Sequence, residues 1–184
     1  MSGPLTDLDR PNSYIGRAVP RADAARLLEG RGRFVDDLQL PRMLHAAFLR
    51  SPYAHAKVNG FDLEAARAVP GVHTILTGKD LEGVVEPYVG VLSHLAGLQS
   101  APQMPMAVDV ARWQGEPLVM VIAESRAIAE DAVGLIEADL DPLEPVTDPE
   151  AALEPGAPLI HESLGSNLAW ERLVDVGDVD AAFA

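Results

Sequence analysis

The fold is decided by a stretch that reads LVMVIAESRAIAEDAVGLIEADL over residues 118–140. Leu118–Ala123 is purely apolar, which is typical of a buried strand. Arg126–Ile136 follows with the spacing of an amphipathic helix, and the predicted apolar face carries Ala129, Ala132, Val133 and Ile136, widened by Ile128 and Leu135. Glu137–Leu140 is again strand-like. We therefore predict a strand–helix–strand crossover unit in this stretch.

The segments before this unit are short, because 15 prolines and 15 glycines interrupt the chain. The patterns predict strands at Arg33–Val35, Met43–Leu49, Lys57–Phe61, Val72–Leu76 and Val108–Ala111. We expect the strands Met43–Leu49 and Lys57–Phe61 to pair through a turn at Ser51–His55. No internal repeat is present. The sequence predicts a mixed α/β domain of short strands and a few short helices.

Two short helices and a long loop complete this prediction. Ala24–Glu29 and Leu63–Val69 have helical character, and each is preceded by an aspartate, Asp23 or Asp62, suited to capping. Residues 82–105 mix apolar residues with Gly, Pro and Gln without a period, which predicts an ordered loop. Gln114–Pro117 is predicted to form a turn between two strands.

The two ends of the chain differ from the middle. Residues 1–20 contain prolines and no apolar period, which indicates an arm. Near the other end Asp178 is placed to cap a helix from Ala181 onward, and the sequence stops at Ala184. Because an isolated single turn is unstable, we expect the sequence to be a piece of a longer polypeptide.

Composition excludes several classes of function. The 184 residues include 14 Lys and Arg against 28 Asp and Glu, a net charge of −14, which argues against a nucleic-acid-binding face. The chain has no cysteine and therefore no disulfide, thiolate metal site or cysteine nucleophile. The longest apolar run is too short for a membrane span, and no signal peptide pattern begins the chain. We expect a cytoplasmic protein of one domain, with or without an extension.

Candidate nucleotide and metal sites are weak. Gly30–Val35 begins like a phosphate-binding loop, but it follows a helix and lacks the third glycine. The five histidines are too widely spaced for a local metal motif, so a site would require tertiary proximity: His45, His55, His73, His94 and His161. We interpret His45 as a hydrogen-bonded residue of the core.

Candidate acid–base and nucleophilic residues also favour structural roles. Adjacent Asp36 and Asp37 make a poor acid–base pair, and Asp37 is better suited to capping a turn. The carboxylates of Glu137, Asp139 and Asp141 share one face of a strand, which indicates a solvated face. Ser51 and Ser125 lack the Gly-x-Ser-x-Gly elbow of a nucleophile. The residues alone therefore predict no catalytic, cofactor-binding or metal-binding residue.

The order of several motifs nevertheless resembles one family over residues 14–184. The motifs are residues 14–21 (YIGRAVPR), 30–37 (GRGRFVDD), 43–56 (MLHAAFLRSPYAHA), 68–72 (AVPGV), 77–81 (TGKDL), 113–117 (WQGEP), 121–124 (VIAE), 129–132 (AEDA) and 148–152 (DPEAA). In this order they resemble the large, molybdenum-binding subunits of the xanthine dehydrogenase/aldehyde oxidase family, which includes aerobic carbon monoxide dehydrogenases.

This resemblance implies a fold and a set of partners. Residues 20–145 resemble the α/β hammerhead domain, after an arm at 1–19, and 146–184 resemble a linker into a cofactor-binding domain. The complete subunit would bind molybdopterin cytosine dinucleotide, and iron–sulfur clusters and FAD would lie on partner subunits. The implied assembly is a dimer of heterotrimers. The motifs that hold the molybdenum cofactor have no counterpart in these residues, so the resemblance transfers no catalytic, cofactor or metal residue.

Two functional hypotheses follow. In the first, the chain is the N-terminal structural domain of a molybdenum hydroxylase, which inserts water-derived oxygen into a small substrate, and it is inactive alone. In the second, it is a stand-alone, non-catalytic binding module with a hammerhead fold. The second predicts a stable monomer without an exposed apolar patch, whereas an orphaned domain is expected to self-associate or bind an apolar dye.

Overall fold

The computed structural model describes residues 14, 18–90, 92, 94–174 and 176–184. The chain divides into two compact units, Met1–Met43 and Leu44–Ala184. The first unit contains helix α1, Ala24–Leu28, and a 3-10 helix, Val35–Asp37. Most of the predicted N-terminal arm lies outside the described residues.

Two expectations for the first unit are wrong. Residues 33–35 do not form a strand, because Asp37 closes a 3-10 turn by accepting the Phe34 backbone N–H at 2.9 Å. The expected capping role of Asp37 is thereby confirmed. Asp23 precedes α1 without capping it by its side chain, since its carboxylate binds the Arg21 guanidinium instead.

The described residues of the second unit form six short strands in two antiparallel sheets. The strands are β1 (His45–Arg50), β2 (Ala56–Asp62), β3 (Val72–Thr77), β4 (Val110–Ala111), β5 (Pro117–Ala123) and β6 (Glu137–Pro142). Sheet 1 has the order β1-β5-β3, and sheet 2 has the order β4-β2-β6. The mixed α/β fold of short strands predicted from the sequence is confirmed.

Among the described residues of this unit, three short α-helices join strands and a fourth follows the last strand. They are α2 (Glu64–Arg67), α3 (Gly78–Leu81), α4 (Arg126–Val133) and α5 (Val179–Phe183), with 3-10 helices at Ala151–Leu153 and Glu162–Leu164. Helix α4 packs across all three strands of sheet 1 and also contacts α2. None of the helices among the described residues is long and apolar enough to cross a membrane.

The hydrophobic core includes the face of sheet 1 that packs against helix α4 and continues to buried residues of sheet 2, Val58 and Ala111. Val121 of β5 stands between Ala47 of β1 and Ile75 of β3, so this row of the sheet turns the same face to the helix. Ala129 and Ala132 are fully buried on α4, as the helical spacing predicted. Small residues on the helix let its backbone approach the sheet closely.

The predicted pairing of the strand Met43–Leu49 with the strand Lys57–Phe61 is wrong. β1 pairs with β5, and β2 pairs with β4 and β6 in the other sheet. After β1 the chain stays beside the turn that precedes β5, because Ser51 exchanges backbone hydrogen bonds with Gly115 at 2.8 Å and Glu116 at 2.9 Å. The 51–55 segment therefore connects two sheets.

The predicted crossover is also wrong, although its three elements exist. β5 belongs to sheet 1 and β6 to sheet 2, where β6 pairs with β2 from Ala56↔Pro142 to Asp62↔Glu137. Helix α4 ends at Val133, three residues before its predicted end, with Gly134 as its C-cap. The chain then reaches the second sheet through Leu135 and Ile136, of which only Ile136 is buried.

The remaining predictions hold with shifted ends. α2 begins at Glu64, whose backbone N–H donates to Asp62 Oδ1 at 3.0 Å. β4 retains only the last two residues of its predicted strand. In the described part of 82–105, an isolated antiparallel backbone bridge joins Tyr88 and Gln103. Asp178 caps α5 as predicted, because its side chain accepts the Ala181 N–H at 2.9 Å.

Candidate functional site

The five histidines do not form a metal centre. Among the described residues, no group of three or more His, Asp or Glu side chains is placed to hold a metal ion. His73 lies beside Glu124, with 3.7 Å between Nε2 and Oε1, and His161 lies in the groove described below. The tertiary proximity that a histidine-based metal site requires is absent from this part of the chain.

Two histidines in the second unit differ from each other in their surroundings. His55 is buried, and its Nδ1 lies 2.9 Å from the Glu144 carbonyl oxygen, which joins the start of β2 to the residues after β6. The interpretation of His45 as a hydrogen-bonded core residue is wrong. His45 begins β1 half-buried, and its side chain makes no hydrogen bond within the described residues.

The serines and carboxylates considered above have structural surroundings. Ser51 Oγ donates to the Tyr53 carbonyl at 2.8 Å and accepts the Tyr53 N–H, and Ser125 Oγ accepts the Ile128 N–H at the start of α4. On β6 the carboxylates of Asp139 and Asp141 are exposed and share the Asn59 amide group. These residues stabilise turns, a helix end and a strand pair.

A concave groove of about 530 Å³ lies in the second unit. We call it the Arg50–Arg112 groove. Its walls are the end of β1, the 102–108 segment, the turn between β4 and β5, and residues 160–161; the lining residues are Arg50, Pro102, Gln103, Met104, Pro105, Met106, Ala107, Val108, Arg112, Trp113, Glu116, Pro117, Ile160 and His161. The sequence analysis did not identify this groove.

Backbone carbonyls position the two arginines of the groove. Arg50 Nη1 donates to the Gly115 carbonyl at 2.9 Å, and its Cζ lies 5.5 Å from the centroid of the Phe48 ring. Arg112 Nε donates to the Ile160 carbonyl at 3.0 Å, and Nη1 donates to the Val110 carbonyl at 3.1 Å. These bonds leave Arg50 Nε and Nη2 and Arg112 Nη2 without a hydrogen-bond partner among the described residues.

The other titratable groups of the groove respond to burial. Burial raises the pKa of the Glu116 carboxyl, although its Oε2 accepts the Arg112 backbone N–H. Burial and the nearby Arg112 charge lower the pKa of His161, which keeps this imidazole neutral at pH 7. The groove therefore combines two guanidinium groups, one engaged carboxylate and the indole of Trp113, which is 47% exposed.

The described residues form neither a cluster of direct metal ligands nor a phosphate-binding loop. A metal site needs converging ligands, and within these residues no such group occurs. The Gly30 loop also provides no phosphate cradle of the dinucleotide-binding type, because it leads from α1 into a 3-10 helix rather than from a strand into a helix. No reaction step is assigned to these residues.

Comparisons with known proteins identify the fold. Residues 29–144 match the model of the aldehyde oxidase and xanthine dehydrogenase a/b hammerhead domain. The chain is 39% identical to the nicotine 6-hydroxylase large subunit of Paenarthrobacter nicotinovorans, over 96% of this chain and 22% of that protein. It is 36% identical to the carbon monoxide dehydrogenase large chain of Afipia carboxidovorans, over 82% of this chain and 18% of that protein.

Solved structures give the same result. Quinoline 2-oxidoreductase from Pseudomonas putida aligns with a TM-score of 0.75 and 42% identity, over 84% of this chain and 19% of that one. CO dehydrogenase from Oligotropha carboxidovorans aligns with a TM-score of 0.66 and 38% identity, over 78% and 17%. The chain spans about a fifth of the length of these relatives. It belongs to the aldehyde oxidase and xanthine dehydrogenase family, and residues 29–144 form its a/b hammerhead domain.

Proposed function

We propose that this chain is the N-terminal packing module of a molybdenum hydroxylase large subunit and is inactive by itself. The match of residues 29–144 to the hammerhead domain carries this proposal. The assignment gives 1–19 as an arm, 20–145 as the hammerhead domain and 146–184 as a linker toward the cofactor-binding part. The complete enzyme inserts water-derived oxygen into a small substrate and passes two electrons to flavin.

Apolar side chains near residue 180 support a packing role. Leu173, Val174, Val176 and Phe183 are between 71% and 89% exposed. Apolar side chains grouped in one segment of chain indicate a surface that another polypeptide covers. In our proposal the remainder of the large subunit provides that cover.

The proposed cofactors and partners lie outside this chain. The remainder of the large subunit binds molybdopterin cytosine dinucleotide, and separate subunits carry iron–sulfur clusters and FAD in a cytoplasmic dimer of heterotrimers. Relatives named as a large subunit, a large chain and a complex subunit support a multi-subunit assembly.

For the substrate class we propose a small nitrogen heteroaromatic ring. Two relatives of 39% and 42% identity are named for nicotine and quinoline, which both contain such a ring. Carbon monoxide is the second candidate, because two relatives of 36% and 38% identity are named for it. Assays of the assembled enzyme with nicotine, quinoline and carbon monoxide distinguish these classes.

The proposal is tested by isolating the affinity-tagged chain from its native host. We expect it to be recovered as part of a larger complex that contains molybdenum by elemental analysis and flavin by absorbance. Recovery as a monomer free of both, which does not bind an apolar dye, would contradict the proposal. That outcome would favour the stand-alone binding module.

A further inference from the structure

The Arg50–Arg112 groove has features that the packing role leaves unexplained. Two arginines line one concave surface, and each keeps at least one guanidinium nitrogen without a hydrogen-bond partner among the described residues. Their positions are fixed by bonds to the carbonyls of Gly115, Ile160 and Val110. Guanidinium groups held in this way bind carboxylates with little further loss of side-chain entropy.

The charge of the groove is complementary to an acidic group. Arg50 and Arg112 contribute two positive charges, Glu116 contributes at most one negative charge, and His161 is neutral at pH 7. The Glu116 carboxylate is already engaged by the Arg112 backbone N–H. The groove is therefore locally cationic, in a chain whose net charge is −14.

The apolar part of the groove adjoins these charges. Trp113 is half-exposed, and Met104, Pro105 and Pro117 line the same surface. Flat aromatic and flexible methionine side chains are typical of surfaces that receive an apolar group of a partner. The groove thus offers adjacent places for a carboxylate and for an apolar side chain.

From this arrangement we infer that the Arg50–Arg112 groove is a docking site for an extended polypeptide segment that carries a glutamate or aspartate next to an apolar side chain. The carboxylate binds between the free guanidinium nitrogens of Arg50 and Arg112, and the apolar side chain packs against Trp113. The inference concerns this groove alone and stands whichever substrate the parent enzyme oxidises.

The test uses the 15N-labelled 184-residue chain and two synthetic peptides, acetyl-Gly-Phe-Glu-Gly-amide and its glutamine counterpart. Trp113 and Trp170 are the two tryptophans, so two indole N–H signals are expected, and Trp113→Phe assigns them. In 0.15 M salt, which screens the net charge, we expect the glutamate peptide to shift the Trp113 signal saturably. The glutamine peptide is expected to bind about tenfold more weakly, because it lacks the charge.

Two variants separate the groove from the overall charge. Arg50→Gln is expected to weaken binding of the glutamate peptide about tenfold. Arg67→Gln removes the same charge from α2, outside the groove, and is expected to leave binding unchanged. An unshifted Trp170 signal shows that each variant is folded, and the pair of peptides on the unmodified chain tests the inference even if Arg50→Gln does not fold.

Three results would overturn the inference. Absence of a saturable Trp113 shift excludes docking, and equal binding of both peptides excludes recognition of the carboxylate. Phenylacetate that binds as tightly as the glutamate peptide assigns the groove to small carboxylates rather than to a polypeptide. None of these results affects the recovery of the chain in a molybdenum-containing complex, so the proposed function is tested separately.

Discussion

Within the second unit, residues 44–142 and residues 143–184 hold their shape by different forces. Every buried hydrophobic residue of the described chain lies in the range from Ala56 to Ile136, and the six strands of residues 44–142 pair into two sheets. The described residues after 142 include no buried one. That region is anchored by polar contacts instead, such as the hydrogen bond from Trp170 Nε1 to the Ala96 carbonyl at 3.2 Å.

In this chain residues 44–142 are stabilised by burial of apolar side chains, whereas residues 143–184 are held to them by hydrogen bonds. Removal of apolar area from water provides most of the stabilisation of a domain, about 25 cal/mol per Å². A region whose apolar side chains are at most partly buried is expected to open locally at a much lower free energy than the core. Residues 143–184 therefore depend on their hydrogen bonds and on whatever polypeptide covers them.

The largest expected effect on stability comes from a leucine within residues 44–142, and a leucine within residues 143–184 is its comparison. Leu118 is fully buried in β5, and Leu173 is 89% exposed. We expect Leu118→Ala to lower the free energy of unfolding by about 3 kcal/mol, through lost burial and a cavity. Leu173→Ala is expected to change it by less than about 0.5 kcal/mol. Urea denaturation followed by circular dichroism measures both, and equal losses would show that the 143–184 region contributes to the core.

A glycine within residues 44–142 gives the next largest effect. A Cβ added to Gly78 would lie 2.1 Å from the Ala107 carbonyl oxygen, so the start of α3 rests directly on the backbone before β4. We expect Gly78→Ala to destabilise the protein by about 2 kcal/mol, because backbone must shift to relieve the overlap.

Gly60 provides the matched control for this substitution. A Cβ added to Gly60 in β2 would meet no atom within 4 Å. Gly60→Ala is expected to change the free energy of unfolding by less than about 0.5 kcal/mol. If both variants unfold at the same urea concentration, the close approach of α3 to residues 106–107 is not a stabilising feature of the fold.

An asparagine tests whether hydrogen bonds hold residues 143–184 in place. Asn167 accepts the Ile160 N–H at 3.1 Å, and its amide group donates to the carbonyls of Ala152 at 3.0 Å and Pro158 at 2.9 Å. We expect Asn167→Ala to cost about 1 kcal/mol, confined to local opening of residues 150–170. Amide hydrogen exchange should accelerate at Ile160 and remain unchanged at Val121.

The outcome of Asn167→Ala bears directly on the comparison. Faster exchange throughout β5 would mean that the two regions unfold as one cooperative unit. The control is Asn59→Ala, since the Asn59 amide group donates to exposed carboxylates of β6, outside residues 143–184. That variant should leave exchange at Ile160 unaltered.

The same contrast explains what the sequence could predict. Apolar runs and helical spacing indicated β5, α4 and the buried face of Ala129 and Ala132, because these features depend on neighbours close in the chain. Pairing of β1 with β5 joins residues about 70 positions apart, and local patterns carry no signal for that choice. The hairpin and crossover predictions were wrong for this reason.

The Arg50–Arg112 groove was missed because four separate segments build it. The predicted turn at Gln114–Pro117 is confirmed, because it lies between β4 and β5. The available signal was the Arg112-Trp113 pair beside Glu116, since a cation, an indole and a carboxylate occur there within five residues. Nothing in the sequence placed Arg50 or His161 next to them.

The smallest predicted effect concerns the hydrogen-bonded carboxylate of Asp80, within residues 44–142. Asp80 accepts hydrogen bonds from the backbone and the hydroxyl of Thr77, both at 2.7 Å, and these bonds lower the pKa of its carboxyl below the ordinary 3.8. A lowered folded-state pKa adds stability at pH values above the unfolded-state pKa. That stability is lost as the pH falls through the folded-state pKa.

Asp80→Asn should therefore reduce the loss of stability below pH 4, because the variant has no charge to lose. Asp80 is exposed, and solvent screening limits the expected difference at pH 7 to about 0.5 kcal/mol. Urea denaturation between pH 2.5 and 7 measures this, with the difference between variant and parent expected to shrink as the pH falls through the folded-state pKa of Asp80. A constant difference at all pH values would instead assign the effect to hydrogen bonding without charge. The side-chain hydrogen bonds of Asp80 and Asn167 would then stabilise their regions in the same way. Residues 44–142 and 143–184 would differ only in how much apolar surface they bury.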